Sequence, residues 1–315
     1  MKTVQNPKTP PLLILIIGIL AVSTASIFIR FAQKDAPSLV IATYRMTLAG
    51  LLLAPVALPG AFSEFRALSG QFQRRVFLAG VFLAIHFAAW ITSLEYTSVA
   101  SSVVLVTTTP LWVAILSPLV LKEKTGRETW LGLILAMVGG GIVGQQNACA
   151  FRQGALVCLP ANEFFGGDAL LGNVLALLGA FMAAGYMLIG RQVRPRLSLS
   201  AYTFWVYSLA AVVLLLFTGI SRQSLVGYRT QTYLWFILLA LVPQVIGHTT
   251  FNWALKYLPA AFVSLALLGE PVGTTILAVI FLQEIPGLAE ISGAVLILTG
   301  IFLASRAGLK APAQS

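Results

Sequence analysis

Charge is what this chain has least of. Asp, Glu, Lys and Arg together supply 10% of its 315 residues, where a soluble domain carries roughly a quarter. Without those side chains there is no polar coat to offer water, which excludes an ordinary soluble globule. Histidine and cysteine are equally scarce, with two of each. Two isolated histidines exclude a clustered metal site or an HExxH pair. No GxxxxGK[ST] phosphate loop occurs, which argues against self-contained ATP drive. No metal and no cofactor is therefore expected. Acidic residues number 10 against 20 basic ones, but the cations form no single contiguous face, so no nucleic-acid partner is expected.

What the chain has is hydrocarbon. Apolar residues make up 58% and the mean hydropathy is +0.90. Several runs reach the ~20 residues that cross a bilayer as helix. They are too long for barrel strands and do not alternate strictly. Helices are then the remaining way to satisfy a backbone in lipid. Ten spans are read, at about 12–32, 38–59, 75–95, 98–121 and 127–145, then 168–190, 199–219, 231–256, 260–282 and 286–305. Lys2 and Lys8 before an apolar run, with Ala21-Val22-Ser23 after it, resemble a signal peptide. The same segment matches the span around Gly179, so it is read as retained.

Cation placement orients the bundle. With the N-terminus inside, 14 Lys and Arg fall on that side and 5 on the other. The positive-inside rule then puts both termini of a multi-pass membrane protein in the cytoplasm.

The pattern also repeats. A shift of 161 residues lays Tyr96 on Tyr257, Pro110 on Pro271, Glu123 on Glu284, Gly132 on Gly293 and Gly139 on Gly300. Between Leu94 and Gly139, 12 of 46 positions are identical without a gap. Gly18 falls on Gly179 and Arg30 on Arg191. The expected fold is therefore all-α and integral to the membrane, with ten transmembrane helices as two five-helix repeats, 12–145 and 168–305. Five is odd, so the second repeat inserts upside down, and a central cavity lies between the two. The linker 146–167 is expected outside and holds both cysteines, Cys149 and Cys158, which an oxidising compartment would allow to bridge.

Inverted repeats place binding sites near the midplane, where helices break at matching positions. Pro110 and Pro271 match in this way and are read as structural kinks, since a mid-helix proline removes a hydrogen bond. Thr107, Thr108, Thr109 and Glu270 adjoin them. A carboxylate at that depth costs at least ~2.5–3.5 kcal/mol on insertion scales. Glu270 therefore faces a cavity, pairs with a cation or carries a proton. Gln244, His248 and Asn252 follow at four-residue steps on one helical face, and His86 and Trp90 repeat that spacing. Tyr44, Tyr186, Trp205, Tyr207 and Trp253 add aromatic surface. The substrate-binding set is read as His86, Trp90, Thr108, Tyr186, His248, Asn252 and Glu270. For each histidine an interior hydrogen bond is the competing explanation. Arg45 snorkels, braces the fold or draws an anionic group inward. Ser23, Thr24 and Ser26 suit tight packing or cavity lining.

The segments LEYTSVASSVVLVTTTPLWVAILSPLVLKEKTG at 94–126 and LKYLPAAFVSLALLGEPVGTTILAVIFLQEIPG at 255–287 resemble the core pattern of EamA-type domains of the drug/metabolite transporter superfamily. The shared features are Leu-x-Tyr at a turn, the helix proline, the Leu-x-x-Glu end and a glycine-rich span after it. Arg45 resembles the arginine that family tends to carry in its second helix. In place of the family's frequent tryptophan-glycine in the first span stands AVSTASIFIRFA. The resemblance implies a non-enzymatic secondary carrier that exports small metabolites, such as amino acids or cationic drug-like compounds, by alternating access. Its partners would be a small-molecule substrate, membrane lipid and coupled protons. A channel is the alternative, and an intramembrane enzyme acting on lipids stands behind it.

Overall fold

The computed structural model describes residues 10–97, 102, 105–152, 155–158, 167–270, 272–273, 276–277 and 288–308. Pro271 lies outside the described residues. The chain runs as α1 (Pro11–Val22), α2 (Ala25–Ala32), α3 (Ser38–Arg66), α4 (Gly70–Tyr96), α5 (Thr109–Val120) and α6 (Arg127–Ala148). A hairpin follows, β1 (Cys149–Arg152) against β2 (Ala155–Cys158). Then come α7 (Gly167–Val193), α8 (Leu199–Ile220), α9 (Thr230–Leu239), a π-helical segment (Ala240–His248) and α10 (Thr249–Ala254). The last elements are α11 (Ala260–Ala266), a 3-10 turn (Leu267–Gly269) and α12 (Leu288–Gly308).

Six described helical stretches are long and apolar enough to cross a membrane: Leu12–Ala32, Ser38–Arg66, Gly70–Tyr96, Gly167–Val193, Leu199–Ile220 and Thr230–Ala254. Shorter apolar helices cover Thr109–Val120, Ala260–Gly269 and Ile291–Ala304. Their outer faces carry bare hydrocarbon. Leu51, Val56, Leu119 and Ile220 are each more than 60% exposed, an arrangement that fits lipid as solvent and not water. The small hairpin is the one departure from an all-helical chain among the described residues. It occupies the linker, and α6 runs a few residues further into that linker than the apolar pattern indicated.

Neighbouring helices alternate in direction, as hydrogen bonds at both ends show. At one end Asp35, between α2 and α3, accepts from the Arg229 amide at 2.9 Å and the Thr232 hydroxyl at 2.7 Å. Those two donors hold its carboxyl below the usual range. At the other end Glu64 accepts from the Ser198 amide at 2.7 Å. Ser198 also caps α8, its hydroxyl accepting from the Ala201 amide at 3.2 Å.

Glycine sets the closest approaches. A Cβ on Gly132 would run into the carbonyl oxygen of Gly300, and one on Gly139 would stand 2.6 Å from that of Gly293. α6 and α12 therefore meet backbone to backbone, the contact small residues permit in a membrane. The 161-residue shift turns Gly132 into Gly293 and Gly139 into Gly300. One contact is thus the image of the other with its partners exchanged.

Two outcomes are expected. Gly300→Leu pushes a side chain into backbone that cannot yield. It should cost about 1–3 kcal/mol in thermal or denaturant unfolding, while Gly140→Ala, with nothing within 4 Å, should change stability by less than about 0.5 kcal/mol. The hairpin register sets Cys149 opposite Cys158. Opposed residues in antiparallel strands lie within the span of a disulfide. Protein from an oxidising compartment should then resist alkylation of its thiols until reduced. Ready alkylation of both without reductant would contradict this.

Candidate functional site

Each interruption of the helical ladder has a chemical cause. α1 stops where the Thr24 hydroxyl bonds back to Ala21 O at 2.8 Å. The Ser23 hydroxyl reaches Ile19 O at 2.7 Å and, across the bundle, Glu270 O at 3.0 Å. Such back-bonding bends helices. Pro110 begins α5 in place of the ladder donor it lacks, after a turn at Thr107 and Thr108. Pro243 sits inside the π-helical segment, where a wider turn accommodates its missing N–H. The 3-10 turn Leu267–Gly269 tightens the chain just ahead of Glu270.

These breaks surround one cavity of about 80 Å³, bounded by Val22, Ala25, Arg45, His86, Trp90, Thr107, Thr109, Pro110, Tyr186, His248, Phe251, Asn252 and Glu270, among others. A water needs roughly 10–15 Å³ of such space, so several waters or a small solute fit. Of the residues read from sequence, the structure brings His86, Trp90, Tyr186, His248, Asn252 and Glu270 to this wall. Thr108 is not on it. Its hydroxyl bonds back to Leu105 O at 2.6 Å, and its neighbours Thr107 and Thr109 line the space instead.

One wall is cationic. Arg45 is fully buried and lies over the Phe87 ring at 4.1 Å. Its Nε donates to Gln244 Oε1 at 2.9 Å. Arg45 Nη1, Gln244 Nε2 and Trp90 Nε1 are buried donors with no acceptor among the described residues. Buried polar groups are nearly always paired, so an acceptor at this wall would be strongly favoured. Glu270 faces the same cavity and makes no direct ion pair with Arg45. His86 Nδ1 donates to Gly179 O at 2.9 Å, which fixes its tautomer and leaves Nε2 as an acceptor. Its ring stacks on Trp90, with centroids 5.9 Å apart and planes 13° apart. His248 meets Phe87 edge to face at 5.3 Å.

Adjoining it is a hydrogen-bonded frame, joined where the Tyr207 hydroxyl donates to Gln244 O at 3.5 Å. Tyr186 donates to Asn252 Oδ1 at 2.6 Å, and Asn252 Nδ2 donates to the Tyr207 hydroxyl at 3.2 Å. Arg194, 2% exposed, donates from Nε to Asn252 O at 2.9 Å. Asn252 is thus engaged on both sides of its amide. Sequence reasoning counted Arg194 only as a topological charge. Its depth inside the fold left no trace in the apolar pattern.

Known proteins place the chain. The EamA-like transporter family matches residues 9–144 and again 170–306, and the chain belongs to that family. A protein of Archaeoglobus fulgidus named an uncharacterized transporter is 24% identical over 301 residues, covering 95% of this chain and 98% of its own. The uncharacterized transporter YyaM of Bacillus subtilis is 26% identical over 220 residues, 69% of this chain and 68% of its own. A solved crystal structure superposes with TM-score 0.74 at 17% identity, covering 96% of this chain and 99% of that one, a likeness of fold. The protein is a multi-pass membrane transporter.

The frame makes its own prediction. Asn252→Leu strands the buried Tyr186 hydroxyl and takes one partner from Tyr207, which keeps Thr249 and Gln244 O, and should cost about 1–3 kcal/mol in unfolding experiments. Tyr186→Phe added to it should cost less than the two single losses together, because one stranded hydroxyl is then gone. Strict additivity would show that the frame is not coupled.

Proposed function

We propose that this transporter is a secondary carrier whose cavity takes a small zwitterionic or amphipathic metabolite, with amino acids the leading class, and exports it by alternating access. The observation that carries this reading is the wall chemistry. Arg45 and Trp90, which carry buried donors without a partner among the described residues, line the same cavity as Glu270. A substrate carboxylate would satisfy the donors, and its ammonium group would neutralise Glu270. Charge-assisted bonds of that kind are roughly twice as strong as neutral ones. Trp90, Tyr186 and Phe251 would contact the apolar part. A cationic drug-like compound could use the Glu270 side alone.

The surrounding architecture is read as ten spans in two inverted five-helix repeats, both termini in the cytoplasm of the inner membrane. Rocking of the repeats about a fixed midplane site would expose it to each side in turn. The breaks at Ser23, Thr107 and Leu267 are where such motion would be absorbed. Glu270 is the group able to carry a coupled proton. A channel would need a continuous pore or a ring of like ligands, and saturable flux at low turnover would separate the two.

Proteoliposomes loaded with labelled amino acids or cationic dyes test the reading. Arg45→Gln is expected to lower amino-acid flux at least 10-fold and to leave dye flux within about twofold, the difference of one charged contact at about 1.4 kcal/mol per decade. Glu270→Gln is expected to lower both and to flatten the pH dependence of the remainder. Absence of flux for every probe would remove the reading. Equal loss of both substrates in Arg45→Gln would make that residue a structural brace.

A further inference from the structure

The repeat allows the two ends of the bundle to be compared residue by residue. The shift of 161 carries Gln33 onto Arg194 and Ile91 onto Asn252. Both images of that contact exist. Gln33 Nε2 donates to Ile91 O at 3.2 Å, and Arg194 Nε donates to Asn252 O at 2.9 Å. The correspondence is therefore geometric as well as sequential, at opposite ends of the molecule.

The contact beside it is present at one end only. Arg191 Nη1 donates to Leu255 O at 2.9 Å and to Lys256 O at 3.2 Å. Its Nε donates to Glu123 Oε1 at 2.7 Å, the one ion pair among the described residues. Glu123 Oε2 accepts from the Ala260 amide at 3.4 Å. One arginine thus draws together the segment after α5, the end of α7, the end of α10 and the start of α11. The images of Arg191, Leu255 and Lys256 are Arg30, Leu94 and Glu95. Leu94 and Glu95 lie in the last turn of α4, whose carbonyls lack intrahelical donors and favour a nearby cation. Arg30 nonetheless stands exposed, with no side-chain hydrogen bond or ion pair among the described residues. Glu284, the image of Glu123, lies outside the described residues.

We propose that Arg191 and Arg30 are alternating latches. Arg191 grips the terminal carbonyls beyond α10, as seen here, and that grip closes the Glu123 end. When it releases, Arg30 grips the carbonyls of Leu94 and Glu95 and closes the other end. The two grips use the same donor on the same kind of helix terminus. One state is therefore exchanged for the other at small net cost, which leaves a bound solute able to shift the balance. The inference rests on the alternating-access reading above.

Hydrogen exchange on the full chain in detergent micelles tests it without any substrate. Arg191→Ala is expected to speed exchange about 10-fold across 252–262 and to slow it severalfold at 93–97. Adding Arg30→Ala should abolish the slowing while the acceleration stays. Glu123→Gln, which removes a charge and little else, should give the Arg191→Ala pattern at smaller amplitude. It serves as the decisive variant should Arg191→Ala exchange rapidly throughout the chain. Exchange at 93–97 that is unchanged or faster in Glu123→Gln overturns the proposal, as does slowing that survives Arg30→Ala. Failure of the carrier reading would appear elsewhere, as absent flux in proteoliposomes with this exchange pattern intact.

Discussion

A backbone amide or carbonyl in hydrocarbon must find its partner within the protein, and this constraint organises the whole molecule. It makes the spans helical, and it makes any interruption costly unless something polar lies beside it. The chain interrupts its helices at Ser23, Thr107, Pro243 and Leu267, and the breaks gather around one cavity. Hydroxyls of Ser23, Thr24 and Thr108 take up part of the freed backbone. The rest of the polar inventory follows from that choice. Arg45 and His86 are tolerable inside the bundle because Gln244 Oε1 and Gly179 O supply them with hydrogen-bond partners.

The two walls of the cavity are built on different principles. Asn252, Tyr186, Tyr207 and Arg194 satisfy one another and fix a shape. Arg45, Gln244 and Trp90 keep donors unspent. A closed network resists deformation, whereas buried donors not used within the protein suit an incoming acceptor. A rigid frame beside side chains with donors to offer is the arrangement expected of a binding wall.

Much of this was legible in the order of residues. Apolar runs marked the helices, because lipid leaves no other way to hide a backbone. The shift linking Gly132 to Gly293 and Gly139 to Gly300 marked surfaces that turn out to touch. His86, Trp90, His248, Asn252 and Glu270 stood out as polar or aromatic groups at depths where hydrocarbon penalises them. Less legible was anything decided by rotation within a turn. Thr107, Thr108 and Thr109 are alike in composition, and only the local bend settles which of them faces the cavity. Arg194 hid for the opposite reason. It lies at a helix end among other cations, where a buried arginine and a solvated one read the same. The π-helical segment also escaped notice, since Pro243 predicts a defect but not whether the ladder widens or breaks.

The glycine contact between α6 and α12 carries a consequence of its own. Gly132 meets Gly300 and Gly139 meets Gly293, so a patch of one half fits the corresponding patch of the other with roles swapped. Both contacts lie along one pair of helices, so a side chain that forced one of them open would strain its counterpart as well.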